Sequence, residues 1–187
     1  MSGSISARAR TGFDHFVTTA ARSAFTASDN ACTVTLDEQA ATMPRELVML
    51  TVASYRFRVL LFIHFTRDPA IRQQLAALTG MPVEQLTGDR FADAMMERGN
   101  LCCGALNREL AQFFPHIGMS TPCVLPGSSM EHLGTLQPSL TRHYRATLAS
   151  GATLQLTLAV CAVGDIDFPF DARVLTTASS GELELFA

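Results

Sequence analysis

The sequence predicts a single domain of the α/β class and the α+β type, in which long helices pack on one face of a mostly antiparallel sheet. Three observations predict this fold. The chain has 187 residues, 48% of them hydrophobic, which suffices for one domain with a substantial core. Segments of helical periodicity alternate with segments rich in β-formers. Two pairs of apolar segments are separated only by short reversals, which is typical of antiparallel hairpins.

The predicted strands follow one another without a linker or an internal repeat. A long apolar stretch is too long for one strand, so a reversal is expected near residues 54–56. A second hairpin is expected across Ser150 and Gly151. The strands are predicted at residues 32–36, 47–55, 57–65, 140–148 and 153–163, with an edge strand at 182–186. Residues 1–10 are small and polar and are expected to be disordered, so the domain is predicted to span residues 11–187.

The helices are predicted from periodicity and from their ends. Residues 13–25 carry phenylalanine, valine and alanine at helical spacing. A second helix is expected to begin at Asp68 and Pro69, because aspartate is a favoured cap and proline suits the first turn. It is expected to end at Gly80. A third helix is expected to begin near Gly88 and to stop before Pro115.

Composition limits the partners. The net charge is −3, every basic residue is an arginine, and no basic block is present. Nucleic acid and anionic membrane surfaces are therefore not expected as partners. The longest apolar stretch, residues 47–65, is interrupted by Arg56, Arg58 and His64, so no membrane insertion is predicted.

The cysteines predict a reducing environment. There are five of them, an odd number, and their spacing matches no metal site. The chain begins with a polar, arginine-bearing stretch in which no secretory signal is recognisable. We therefore expect a cytoplasmic protein with reduced cysteines and no metal of its own.

The third helix carries the candidate site. Glu97 and Asn100 are three residues apart, so they are expected on one helical face with Gly104. Gly99 and Gly104 each cost a helix about 1 kcal/mol relative to alanine, which predicts that something approaches the backbone closely. The polar face is expected to include Asp93 and Asn107. The apolar face is expected to bury Phe91, Ala94, Met95, Leu101, Cys102, Ala105, Leu106, Leu110 and Phe113.

These residues resemble the signature of the CheC/CheX/FliY family of chemotaxis phosphatases. That signature is a helix carrying E-x-G-N, followed by an apolar pair and a small residue, as in Glu97-Arg98-Gly99-Asn100-Leu101-Cys102-Cys103-Gly104. The stretch Met119-Ser120-Thr121-Pro122 resembles the polar-Thr-Pro stretch that leads into a strand of the family. The resemblance covers most of residues 13–163. The chain carries a single E-x-x-N motif, and in this it resembles the CheX branch of the family.

The resemblance implies a function. A CheX-like phosphatase removes the phosphoryl group from the aspartate of a CheY-like response regulator, in chemotaxis or two-component signalling. Glu97 is implied to engage a lysine of the receiver domain, and Asn100 to hold the attacking water. Gly99 and Gly104 are expected to form the surface on which the receiver docks. No cofactor of its own is implied, because the receiver supplies Mg²⁺. A homodimer joined along sheet edges is also implied.

Two alternatives remain open on the sequence. The chain could be a receiver-binding module without hydrolysis, or a dimeric scaffold with a degenerate phosphatase fold. Arg98 stands where the family has an aliphatic residue, and it is expected to project toward the apolar side. Its stem could lie along the edge of the core. Alternatively it could pair with Glu97 or Asp93, and pairing with Glu97 would compete with the receiver's lysine.

Overall fold

The computed structural model describes residues 3–26, 32–39 and 46–171, and its centre is an antiparallel sheet. The strands are β1 (Cys32–Asp37), β2 (Glu46–Ala53), β3 (Phe57–Phe65), β4 (Gly118–Met119), β5 (Cys123–Pro126), β6 (Leu140–Leu148) and β7 (Thr153–Ala162). The seven strands lie in the order β1-β6-β7-β3-β2-β4, with β5 also paired to β2. Every ladder between these strands is antiparallel, as predicted.

The helices follow the predicted ends closely, except that the first begins at Ala7 and not at residue 13. They are α1 (Ala7–Phe25), α2 (Pro69–Thr79) and α3 (Gly88–Ala111), with two 3-10 segments at Val83–Gln85 and Gly127–Leu136. The Asp68 carboxylate accepts a hydrogen bond from the backbone N–H of Ile71 at 2.9 Å, so it caps α2. Gly80 ends α2 at φ 70°, in the left-handed region that favours glycine.

α1 and α3 pack on one face of the sheet, as predicted, and α2 packs against α3. α3 lies over β2 and against α1, and α1 extends over β1 and β6. Alternate residues of the central strands point into this layer, among them Val48, Leu50, Leu61 and Ile63, each at most 1% exposed. The tail strand predicted at residues 182–186 lies outside the described residues.

Part of the opposite face of the sheet is also buried, which sequence analysis did not predict. Leu47, Leu60 and Phe62 form a second apolar cluster there. Met130 and Leu133 of the second 3-10 segment pack against it. The central strand β3 is therefore covered on both faces, which explains why it is a nearly continuous apolar run.

A histidine pair lies on this same face, away from the helices. His64 Nε2 is 2.9 Å from Thr157 Oγ1, and His143 Nδ1 is 3.0 Å from the same oxygen. His64 is only 2% exposed, and its Nδ1 has no hydrogen-bond partner among the residues that the structure describes. Burial, with a smaller contribution from His143, lowers the pKa of His64 to about 4. His64 is thus held neutral near pH 7.

A hydrogen bond across the core attaches α1 to the sheet. The hydroxyl of Tyr144, on β6, donates to Asp14 Oδ1 of α1 at 2.7 Å. Tyr144 has no exposed surface, so its hydroxyl depends on this acceptor. Arg142 also lies near Asp14, with its Nε 3.5 Å from Oδ1.

The expected disorder at the N-terminus is wrong for residues 3–10. Ile5 forms a parallel bridge with Ile166, at the end of the described chain. The backbone N–H and the hydroxyl of Ser4 both donate to Asp165 Oδ1, at 2.8 and 2.7 Å. These partners are 161 residues away, so the local polarity of the segment gave no indication of them.

A second acid, Asp167, holds the first turn of α1. Its carboxylate accepts from the Ser6 hydroxyl at 2.6 Å and pairs with the Arg8 guanidinium. Ser6 is in turn the N-cap of α1, because its Oγ accepts from the N–H of Ala9 at 3.1 Å. The hydrogen bonds from Arg8 and Ser6 keep the pKa of Asp167 below its usual range.

Candidate functional site

The start of α3 is fixed by Arg67, in the connection between β3 and α2. The Arg67 guanidinium donates to the Gly88 carbonyl oxygen at 2.8 Å and to both carboxylate oxygens of Glu46, at 2.6 and 2.8 Å. It also lies over the ring of Phe91, 5.4 Å from the centroid. The hydrogen bond from Arg67 lowers the pKa of Glu46. These contacts attach the first turn of α3 to the first residue of β2.

The buried face of α3 is largely the one that the periodicity predicts. Met95, Cys102, Leu106 and Leu110 have no exposed surface, and Phe91 has only 1%. Ala94 is also buried, whereas Ala105 and Phe113 are half-buried. This face fixes the rotation of α3 about its axis and therefore decides which residues point to solvent.

Gly99 lies on the side of α3 that faces the sheet, opposite to the side that carries Glu97. A Cβ at this position would lie 2.9 Å from Val48 Cγ1 and 3.0 Å from Leu50 Cδ1. Residues two apart in a helix are separated by about 200°, so Gly99 cannot share a face with Glu97. The predicted role of Gly99 in docking is therefore corrected: its missing side chain lets α3 lie close to β2.

Glu97, Asn100 and Gly104 share the face of α3 that points away from the sheet. Glu97 is exposed, while Asn100 and Gly104 are half-buried. Within the described residues, neither Glu97 nor Asn100 has a hydrogen bond or an ion pair. The carboxylate and the carboxamide are thus both available to a partner. Among the described residues, a Cβ on Gly104 would meet only Met119 Sδ, at 3.9 Å, so the surface beside Asn100 is open.

Leu101 belongs to this open face, and its predicted burial is wrong. The side chain is 44% exposed. It follows Glu97 by four residues, so the two are neighbours on one side of the helix. The partial exposure of this leucine places an apolar group beside the carboxylate.

Arg98 lies at the border between the two faces, as expected for a residue that projects toward the apolar side. It is half-buried, and its buried Nε has no hydrogen-bond partner in the described part of the chain. Within the described residues it pairs with neither Glu97 nor Asp93. The intramolecular pair that would compete for Glu97 is therefore not formed.

The cysteines of α3 offer no alternative chemistry at this face. Cys102 and Cys103 are fully buried, and burial raises the pKa of both thiols, that of Cys103 to about 12. In the part of the chain that the structure describes, no three acids, histidines or cysteines are grouped so that they could hold a metal ion. Among the helices described, none combines the length and the apolar character that a membrane crossing needs.

The fold resembles solved chemotaxis proteins. No protein-family model matches the sequence, and no curated protein matches it. Among solved structures, the chain is similar to a CheC-like protein from Shewanella oneidensis MR-1, with 13% identity, a TM-score of 0.60, and coverage of 81% of this chain and 99% of that one.

Two CheX structures are similar to the chain to the same degree. One is the CheX–CheY–BeF3–Mg²⁺ complex from Borrelia burgdorferi, with 14% identity, a TM-score of 0.59, and coverage of 81% of this chain and 97% of that one. The other is CheX from Vibrio vulnificus, with 14% identity, a TM-score of 0.58, and coverage of 83% and 99%. At these identities the likeness establishes the fold, and the CheC/CheX-like fold predicted from the sequence is confirmed.

Proposed function

We propose that this protein is a CheX-like phosphatase that hydrolyses the phospho-aspartate of a CheY-like response regulator. The observation that carries the proposal is the pair Glu97 and Asn100, without partners in the described chain and on one open face of α3. The fold is shared with CheC-like and CheX proteins, one of them solved in complex with CheY. The chain is therefore proposed to act in chemotaxis or two-component signalling, in the cytoplasm.

The proposed mechanism is catalysis by positioning. An aspartyl phosphate is already activated by Mg²⁺ on the receiver, so the phosphatase needs only to place a water in line with the scissile bond. The Asn100 carboxamide accepts from and donates to that water, which restricts its orientation. The Glu97 carboxylate engages the receiver's lysine and aligns α3 over the phosphate. The water attacks phosphorus, the P–O bond to the aspartate breaks, and inorganic phosphate leaves.

This division of labour makes different predictions for the two residues. Removing the Asn100 side chain deletes the group that orients water, so turnover falls and docking is largely kept. Removing the Glu97 carboxylate deletes a charge that meets the receiver, so both docking and turnover fall. Orientation with a modest electrostatic contribution corresponds to about two to four decades in rate.

The test is a phosphatase assay on a ³²P-labelled CheY-like receiver with Mg²⁺. Wild-type protein is expected to remove label faster than the receiver's own decay. Asn100→Ala is expected to lose this activity and Glu97→Ala to lose activity and affinity. Glu131→Ala, an exposed acid on the second 3-10 segment, is the matched control and is expected to behave as wild type. Normal turnover by Asn100→Ala would refute the assignment.

The same assay separates the proposal from its alternative. A receiver-binding module would co-elute with the phosphorylated receiver without accelerating the loss of label. Arg98 leaves Glu97 unpaired, so the described residues provide no internal contact that would favour this alternative.

The proposal includes a homodimer joined along a sheet edge. β1 is the last strand at one edge of the described sheet, and Leu36 on it is 51% exposed. An edge strand with an exposed apolar residue can pair with a second copy. Size-exclusion chromatography with light scattering tests this: a dimer mass supports the homodimer, and a monomer mass at assay concentration contradicts it.

A further inference from the structure

The edge of the sheet beside α3 contains a one-residue bulge. β4 and β5 are two pieces of one edge, and both pair with β2. Val52 and Met49 are three residues apart in β2, whereas their partners Met119 and Cys123 are four residues apart. One extra residue therefore opposes β2 between the two pieces, which is the definition of a β-bulge.

The bulge changes which side chains face the helices. Met119 is paired with Val52 and Val124 with Val48, and both β2 residues point into the helix layer. Met119 and Val124 are five residues apart, so in a regular strand they would point to opposite faces. The extra residue brings both to the α3 side, where they pack against the main core.

Ser120 holds the bulge in place with its side chain. Its backbone N–H donates to the Thr51 carbonyl oxygen at 2.8 Å, as in an ordinary ladder. The N–H of Thr51 donates to Ser120 Oγ at 3.0 Å, and this hydroxyl lies 3.0 Å from the Thr121 carbonyl oxygen, to which it donates. The serine hydroxyl thus takes the place of a backbone carbonyl, so the next residues can leave the ladder. Pro122 has no N–H to leave unpaired.

The bulge borders the open face of α3. Met119, which precedes Ser120, places its Sδ 3.9 Å from the Cβ position of Gly104, one helical turn beyond Asn100. Ser120 and Thr121 are exposed. A partner that reaches Asn100 along this face therefore meets the bulge next to the helix.

We propose that the bulge, residues 120–122, forms the second wall of the surface on which the phosphorylated receiver docks, with Ser120 as its positioning residue. This inference rests on the proposed function. A receiver domain binds its phosphoryl group in a crevice at the carboxyl ends of parallel strands. When α3 enters this crevice, the receiver loops around the crevice contact the parts of this protein that lie beside α3. On the β2 side, that flank is the bulge.

The experiment compares Ser120→Ala with Ser120→Thr, which keeps the hydroxyl. Ser120→Ala lets the bulge leave its position, so it is expected to raise KM for the phosphorylated receiver about two- to tenfold, with kcat within about twofold. Ser120→Thr is expected to restore KM. Ser128→Ala, an exposed serine on the second 3-10 segment, is the matched control.

Hydrogen exchange supplies a readout at the bulge itself. The amide of Thr51 is expected to exchange faster in Ser120→Ala and at the wild-type rate in Ser120→Thr. Faster exchange with an unchanged KM would overturn the proposal, because the bulge would have moved without affecting docking. Equal impairment of the alanine and threonine variants would overturn the role of the hydroxyl.

A second variant keeps the proposal falsifiable if Ser120→Ala does not fold. Thr121→Trp adds bulk at an exposed position and leaves Ser120 intact, so it is expected to raise KM, and a wild-type KM overturns the proposal. If wild-type protein shows no hydrolysis, the proposed function fails. Docking is then measured as the Kd for a receiver loaded with beryllofluoride and Mg²⁺. The same variants are expected to raise this Kd, and unchanged values overturn the bulge proposal.

Discussion

Alanine at the two motif glycines of α3 is expected to change stability in opposite directions. Either replacement gains the same helix propensity, about 1 kcal/mol. At Gly104 the new methyl group would meet Met119 Sδ at 3.9 Å, which is an ordinary contact. Gly104→Ala is therefore expected to raise the free energy of unfolding by about 0.5–1 kcal/mol.

At Gly99 the same methyl group has no room. It would lie 2.9 Å from Val48 Cγ1 and 3.0 Å from Leu50 Cδ1. Leu50 can rotate its terminal methyl groups, but Val48 is β-branched and stiff, so α3 or β2 must shift. Overpacking of this kind costs about 1–3 kcal/mol. Gly99→Ala is therefore expected to be about 0–2 kcal/mol less stable than wild type.

The assay is urea unfolding of wild type and both variants, followed by far-UV circular dichroism at one pH. The propensity gain cancels between the two alanine variants, so their difference of about 1–3 kcal/mol isolates the packing cost. If Gly99→Ala is as stable as Gly104→Ala, the close approach of α3 to β2 at Gly99 is refuted.

Three further predictions concern residues outside the site. Between pH 6.5 and about 4 the unfolded chain takes up a proton that folded His64 does not, so the free energy of unfolding falls as the pH is lowered through this window. The free energy of unfolding of His64→Gln is expected to fall by up to about 3 kcal/mol less than that of wild type. Urea unfolding at pH 7 and 4.5 measures both falls, and equal falls in wild type and variant would contradict the prediction. Tyr144→Phe leaves Asp14 without its 2.7 Å hydrogen bond and is expected to cost about 1.5–3 kcal/mol. Tyr55→Phe, at a 68% exposed position, is expected to cost nothing measurable in the same unfolding assay. Asp68→Ala is expected to cost about 1 kcal/mol through loss of the α2 cap, and thermal unfolding that shows no loss relative to Asp68→Asn would contradict it.

The elements that sequence analysis predicted well are specified by neighbouring residues. Asp68 and Pro69 mark the start of α2, and Gly80 marks its end, because capping depends on groups within one turn. The reversal at residues 54–56 follows from strand length alone. On α3, Glu97 and Asn100 are placed on an open face because the residues around them define the buried one.

The errors on α3 come from residues whose type does not indicate a face. Gly99 has no side chain, so hydropathy does not reveal that it lies against Val48 and Leu50. Gly99 is two residues from Glu97, and residues two apart in a helix do not share a face, so this spacing could have predicted that Gly99 faces the sheet. Leu101 is apolar and yet follows Glu97 by four residues, so its position indicated exposure more reliably than its type.

The remaining features depend on contacts between distant parts of the chain. The bulge at Ser120 appears only when the register of β4 and β5 against β2 is known. The second 3-10 segment packs Met130 and Leu133 against the outer face of the sheet at β3. In both cases the local sequence is compatible with an ordinary loop, and the partner strand decides the structure.

The hydrogen bonds from Ser4 to Asp165 have a consequence for folding during synthesis on the ribosome. The two residues are 161 positions apart, so Ser4 leaves the ribosome long before Asp165 is synthesised. Until β6 is synthesised, the apolar side of α1, with Phe13 and Phe16 at its centre, lacks part of the sheet that covers it. Nascent chains of this protein are therefore expected to expose an amphipathic helix and to need chaperone protection until Asp165 has been synthesised.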